Sequence, residues 1–252
     1  MIVETHIHIC DPKYDNDRYE MLERAGNAGV KKFINIGAEL PECRKVVETK
    51  EEGIYNAIGL HPHYIDSFDE SVMEEFKRYF SEGRKLVAVG EIGLDFYKST
   101  VSPEVQKKGF RRFMDLAAEL ELPVIIHSRE AHEEVYSVLK EYNLKKKGII
   151  HCFTGGVKTA EFFIGLGYVI GVGGVVTFPN AGPLRETVKE IPLEHMVLET
   201  DAPWLAPQAV RGGRNEAAYI TYTAREIARL KQTAVETVEK TTTENAEALF
   251  GI

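Results

Sequence analysis

Strand-like and helix-like segments alternate eight times over 252 residues, with no linker or low-complexity stretch dividing them. Polar residues of catalytic type fall where the strand-like segments end. These two observations predict an α/β fold, a TIM-type (β/α)8 barrel with an extra C-terminal helix, read as one domain over residues 1–252. An open doubly wound sheet is the alternative, but no G-x-G-x-x-G follows the first strand.

Apolar runs of four to eight residues mark the strands, and apolar stripes at helical spacing mark the helices. Ile2–Ile9 reads as a strand, followed by a helix near Asp15–Ala28. Lys32–Ile36 and Pro41–Thr49 form the next pair, then Ile54–Leu60 and Glu70–Ser81, whose Val72, Phe76 and Phe80 share a face. Leu86–Gly90 is a buried strand ended by Gly-Glu-Ile-Gly, and Pro103–Glu121 is a long helix with Phe110, Phe113, Met114 and Ala117 on one stripe. Val124–His127 precedes Glu130–Tyr142, Gly148–Cys152 precedes Val157–Leu166, and Tyr168–Val172 precedes Pro183–Ile191. Met196–Glu199 is the eighth strand, with helices over Glu216–Arg229 and Ala234–Phe250.

Composition narrows the class. Hydrophobic residues at 44% and charged residues at 28% fit a soluble globular protein. No apolar run nears the roughly 18 residues that span a bilayer, and no basic-then-apolar signal opens the chain, so a cytoplasmic location without membrane attachment is expected. Cys10, Cys43 and Cys152 have no C-x-x-C spacing, which argues against a disulfide framework or thiolate zinc site. The net charge of −8 does not advertise nucleic-acid binding, although bound divalent cations can reverse the sign of a pocket.

The chemistry collects at strand ends: Thr5-His6-Ile7-His8, Gly59-Leu60-His61-Pro62-His63, Glu91, His127-Ser128-Arg129, His151-Cys152 and Glu199-Thr200-Asp201. In a barrel these ends form one face, the face that carries active sites. Alternation along a strand points His6 and His8 the same way. Closure brings Asp201 on strand eight towards both, and consecutive strands group Glu91, His127 and His151. Glu91 then lies between two ligand clusters, and its two oxygens can bridge two divalent cations. Imidazole and carboxylate donors suit Zn, Mn, Ni or Fe, and carboxylates alone suit Mg. Each residue has an ordinary structural use taken singly, but their recurrence at successive strand ends does not. His61 and His63 have less defined roles, and His132 and His195 read as surface residues.

The motifs THIH (5–8), GLHP (59–62), GEIGLDF (90–96), IHSR (126–129), HCFTGG (151–156), ETDAP (199–203) and RGGRNE (211–216) resemble those of the TatD-type metal-dependent deoxyribonucleases, within the amidohydrolase-like superfamily. The resemblance runs the length of the chain. It implies two divalent cations, one held by His6, His8, Glu91 and Asp201 and the other by Glu91, His127 and His151. It also implies hydrolysis of DNA phosphodiesters by a metal-activated hydroxide, with 3'-5' exonuclease action in some members. On that reading Glu91 and Asp201 are catalytic, with Asp201 the base, and His61 and Arg129 grip a phosphate of the DNA substrate. Arg211 and Arg214 are candidates to follow the nucleic-acid backbone, and Phe96, Tyr97 and Trp204 to stack on bases. The chain departs from the usual pattern at Glu4, Ile9 and Ala217, none of them a proposed ligand. A hydrolase of small amides, lactones or phosphoesters, or a metal-binding scaffold without turnover, would use the same residues.

Overall fold

The computed structural model describes residues 1–252. Eight parallel strands run in the order of the chain: β1 (Ile2–Ile7), β2 (Val30–Gly37), β3 (Ile54–Ile58), β4 (Leu86–Asp95), β5 (Val124–Arg129), β6 (Gly148–Ile150), β7 (Val169–Val172) and β8 (Met196–Leu198). The helices between them are α1 (Arg18–Asn27), α2 (Leu40–Val46), α3 (Glu70–Ser81), α4 (Pro103–Leu120), α5 (His132–Leu139), α6 (Val157–Gly165) and α7 (Gly182–Glu190); α8 (Ile220–Lys231) and α9 (Val235–Phe250) follow β8. The last and first strands meet just beyond β8, where Ile7 bridges Ala202, the His8 N–H donates to the Ala202 carbonyl at 2.9 Å and the Asp201 N–H to the His6 carbonyl at 3.0 Å. The predicted barrel with a C-terminal helix is the fold observed.

Local signals explain most boundaries. The Asp69 carboxylate accepts from the Val72 N–H at 3.0 Å and starts α3, whose buried Val72, Phe76 and Tyr79 form one stripe. Ser102 and Pro103 start α4, and Glu121 in the left-handed region ends it. Two expected helices begin late, because short 3-10 turns at Pro12–Tyr14 and Ala217–Tyr219 precede α1 and α8.

Two apolar layers result. The larger lies between sheet and helices. The smaller fills the barrel, drawing Val3, Ile34, Ile36, Ala57, Ala88, Ile125, Ile149 and Val197 from the strands. Ala246 and Phe250 of α9 join that inner cluster, so the C-terminal helix closes the end of the barrel opposite the strand C-termini.

The largest departure concerns β4. Gly-Glu-Ile-Gly does not end the strand, which runs on to Asp95. Its pairing with β5 slips between Val89 and Ile92, resumes at Ile92 beside Ile126 and continues with Gly93 beside His127. Gly93 is required there: its φ is +141°, and a Cβ would sit 2.0 Å from the His127 carbonyl oxygen. The slip has a consequence for facing. Ala88 lies in the inner cluster and Glu91, three residues on, also reaches the axis, a spacing that strict alternation forbids. Strand β1 does the same: its pairing with β2 slips between Glu4 and Ile7, and both Val3 and His6 face inward.

Because Phe250 is buried at the end remote from the strand C-termini, Phe250→Ala should cost about 3–5 kcal/mol and lower the melting temperature by about 10 °C. Turnover at a temperature where the variant is folded should stay within about twofold of the parent; a large loss of kcat without loss of stability would contradict this separation.

Candidate active site

The strand C-termini surround a cavity of about 1080 Å³ whose wall includes His8, His61, Glu91, His127, His151 and Asp201. Glu91 lies at its centre, almost wholly buried. Its Oε1 is 2.8 Å from His127 Nδ1 and 3.8 Å from both His61 Nε2 and His151 Nε2, while Oε2 is 3.4 Å from His6 Nε2. Asp201 Oδ1 faces the other side of the cluster, 3.7–3.8 Å from the Nε2 atoms of His6, His8 and His151. All six predicted ligands therefore converge. The His151 ring stacks on His6 at 3.4 Å between centroids while its Nε2 stays 3.8 Å from Glu91, and His61, beside His127, lies at the same distance from Glu91. Four compact sets could hold a metal: His6, His8 and Asp201; His61, Glu91 and His127; His6, His151 and Glu199; and His151, Cys152 and Asp201.

A further ring of carboxylates orients the imidazoles. Glu42 Oε1 lies 3.2 Å from His8 Nδ1, and its Oε2 accepts the Ala38 N–H. Glu199 Oε1 lies 3.1 Å from His151 Nδ1 and accepts the Cys152 N–H at 2.6 Å. Asp95 Oδ2 sits 3.3 Å from His127 Nε2 and 3.1 Å from His63 Nε2, and Oδ1 accepts the N–H groups of Tyr97 and Lys98. A carboxylate behind an imidazole fixes ring orientation and raises its basicity, the usual support of a metal-binding histidine. Glu4, where the resemblance expects aspartate, accepts from the N–H groups of His6 and Thr200 and so ties β1 to the segment after β8.

Electrostatics follow from burial. Burial opposes ionisation of Glu91, but the surrounding His61, His127, His6 and His151 outweigh it and hold the carboxyl well below its ordinary range. Burial pushes Asp201 up to about 6 against the pull of His151 and His8. Burial likewise raises Glu4 to about 8. For His8 and His151 burial favours the neutral ring, but Glu42 and Glu199 respectively carry them to about 9 and about 10. His61 goes the other way, lowered to about 3 by burial and by His127. Its Nδ1 accepts the His63 N–H at 3.1 Å, so the neutral ring carries its proton on Nε2, 3.3 Å from His127 Nδ1. Burial, then Asp201, raises the Cys152 thiol well above its ordinary value.

The structure corrects several readings. His132 is not a surface residue: it lines the cavity, stacks on Phe153 and meets the Ser128 hydroxyl at 2.7 Å through Nδ1. His195 is half-buried in a 3-10 turn before β8. Arg214 does not reach for a nucleic-acid backbone, because it is held bidentately by Asp17, bonds Glu216 and lies over Tyr14. Arg211 covers the Phe178 ring, and Phe96 packs on the core. Arg129 lines the cavity with its guanidinium 4.4 Å from the centroid of Tyr97. Asn215 has a role the sequence did not disclose. Its amide donates to the carbonyls of Thr200 and Trp204 at 2.9 and 2.5 Å, bracketing Asp201.

A closed parallel barrel whose strand ends gather imidazoles and carboxylates around one buried glutamate is the architecture of a metal-dependent hydrolase. The chain belongs to the TatD related DNase family, whose pattern it matches over residues 3–251. It is 40% identical over 256 residues to the metal-dependent hydrolase YabD of Bacillus subtilis, with all of both chains covered. It is 32% identical over 255 residues to the 3'-5' ssDNA/RNA exonuclease TatD of Erwinia amylovora, covering 98% of each. The crystal structure of YjjV, a TatD homologue from Escherichia coli, superposes with a TM-score of 0.95 at 31% identity, covering 100% of this chain and 98% of that one.

Removing the bracket around Asp201 should be costly. Asn215→Ala leaves the buried Thr200 carbonyl and the partly buried Trp204 carbonyl without their donor, and a loss of about 2 kcal/mol is expected in denaturant unfolding. An unchanged unfolding midpoint would show that the segment is held by other contacts.

Proposed function

We propose that the chain hydrolyses phosphodiester bonds of DNA with two divalent cations, held by His6, His8, Glu91 and Asp201 on one side and by Glu91, His127 and His151 on the other. The observation that carries this reading is His6. Both its ring nitrogens are buried and make no hydrogen bond, although Glu91 and Asp201 oxygens lie within 3.8 Å. An imidazole left without a partner among carboxylates is unfavourable unless a cation completes the set. The donor chemistry, imidazole and carboxylate without thiolate, suits Zn, Mn, Ni or Fe. Cations bound there supply Lewis acidity, lowering the pKa of a water and neutralising charge on phosphoryl oxygens.

The chain's own groups do the rest. Asp201 is the more exposed of the two central carboxylates and borders the open cavity, so it orients the attacking water and accepts its proton. His61 offers an Nε2–H, and Arg129 a planar fork of donors, to the non-bridging oxygens of the phosphate. Glu42, Glu199 and Asp95 keep the imidazoles in place without contacting substrate. The three cysteines are unpaired, which supports a reducing, cytoplasmic setting; no helix is long and apolar enough to cross a membrane.

The decisive assay is cleavage of labelled single- and double-stranded DNA with each divalent metal. Glu91→Ala should lose activity about a thousandfold or more and bind less metal by elemental analysis; a fully active variant rules out the bridging role. Asp201→Asn should lower kcat by about 10²–10⁴-fold while most metal is retained, and an undiminished kcat removes Asp201 as the base.

A further inference from the structure

We infer that this chain grips its substrate through the terminal nucleotide alone, with the unpaired end base on the indole of Trp204 and no groove for the phosphates beyond. The inference rests on the nuclease reading above and names the side chain and the length of strand that make the grip.

Trp204 is the only tryptophan, and as a residue it is 46% exposed on the wall of the catalytic cavity. The backbone around it is fixed. Its N–H donates to the Asp201 carbonyl at 2.8 Å, and its own carbonyl accepts from Asn215. The platform is therefore tied to the carboxylate that handles the water, three residues away. Over the ring lies the Lys13 ammonium, with Nζ 3.2 Å from the ring centroid. Lys13 sits on an exposed turn and makes no salt bridge, so a base can displace its ammonium, which then remains beside the incoming chain. A large exposed aromatic ring beside a polar catalytic centre is what base stacking requires.

The charge on the rim sets the length of the grip. Apart from the central cluster, Asp11, Glu39, Glu130, Glu133 and Glu134 line the cavity, against Lys45 and Arg129 as the basic residues of the wall. None of those four glutamates is in a salt bridge. Proteins that follow several phosphates of a single strand do so along a basic groove. This rim would repel a polyanion at every phosphate except the one met by the cations, His61 and Arg129. Binding must then come from one stacked base and one or two phosphates. Three consequences follow: little dependence on strand length, weak dependence on salt, and preference for an end whose base is unpaired.

The test uses the metal-loaded enzyme with the cation that supports cleavage. Substrates are a dinucleoside monophosphate and 6-, 12- and 20-nucleotide single strands, with blunt and overhanging duplexes for comparison. Quenching of the lone indole by these strands is read in the slow Asp201→Asn variant. Dissociation constants should agree within about threefold across lengths, with a salt slope near −1, as expected for one or two phosphates. Trp204→Ala should raise KM about 10–100-fold with kcat within about threefold, and Trp204→Phe should restore most of the loss. Overhanging duplexes should be trimmed faster than blunt ones. Cleavage with no quenching, or an unmoved KM in Trp204→Ala, overturns the platform. A KM falling more than tenfold from the dinucleotide to the 20-mer, or a salt slope steeper than about −3, overturns the short grip. No cleavage of any strand by the parent enzyme defeats the nuclease reading itself, an outcome distinct from these.

Discussion

A carboxylate buried at the end of a strand has to be met by positive charge, and Glu91 sets that requirement for the whole barrel. Its oxygens lie within 3.8 Å of nitrogens from His6, His61, His127 and His151, which come from four different strand ends. His8 and His151, the two imidazoles carried to about 9 and about 10, cannot by themselves balance Glu91 together with Asp201, Glu199 and Glu42. The cluster is instead built to be completed by cations, and the stacked, unpartnered ring of His6 marks where the protein leaves that balance open. Holding so many like-charged groups together without metal is unfavourable, and the apolar layers on both sides of the sheet supply the stability that permits it.

The barrel was legible because eight apolar runs alternate with amphipathic helices, and a parallel sheet of that kind has few alternatives. The candidate ligands were legible because they end those runs, and six named from the sequence do converge. Their facing was legible only in part. On β5, Ile125 and His127 keep the period of two expected of a strand, and Ile149 to His151 and Val197 to Asp201 follow the same parity. On β1 and β4 the period breaks: the register slips place Val3 with His6, and Ala88 with Glu91, on one face. A slip depends on the neighbouring strand's register and on close backbone approach at Gly93, neither of which a single strand's pattern encodes.

The supporting carboxylates were the least legible. Glu42 lies on α2, Asp95 at the end of β4, and Glu199 just beyond β8, so each reaches its histidine from a different part of the chain. Glu199 illustrates the difficulty. Its placement needs Gly171 on β7, where a Cβ would lie 2.3 Å from Glu199 Oε2, and only the paired strands show why that glycine is there. The motif Arg211–Glu216 misled in the opposite direction. Two arginines beyond a strand end look like phosphate ligands, yet Arg24, Arg214, Asp17 and Glu216 form a closed ion-pair network. That network presses the segment after β8 against α1 and steadies Asn215 behind Asp201.

The two ends of the barrel thus separate two demands. At one end Phe250 and Ala246 seal an apolar interior, and nothing there touches the catalytic cluster. At the other, acidic side chains surround the mouth, an arrangement opposed to the association of any polyanion except where bound cations and a few donors reverse the sign locally. Overall negative charge therefore does not argue against phosphodiester chemistry in this chain; it restricts where a phosphate can rest. The attraction is concentrated at the centre, and beside it stands the exposed indole of Trp204 with the Lys13 ammonium over its ring. On the proposed grip a strand would be positioned by its end, and successive cleavage would require only that the next terminal base take the place of the last.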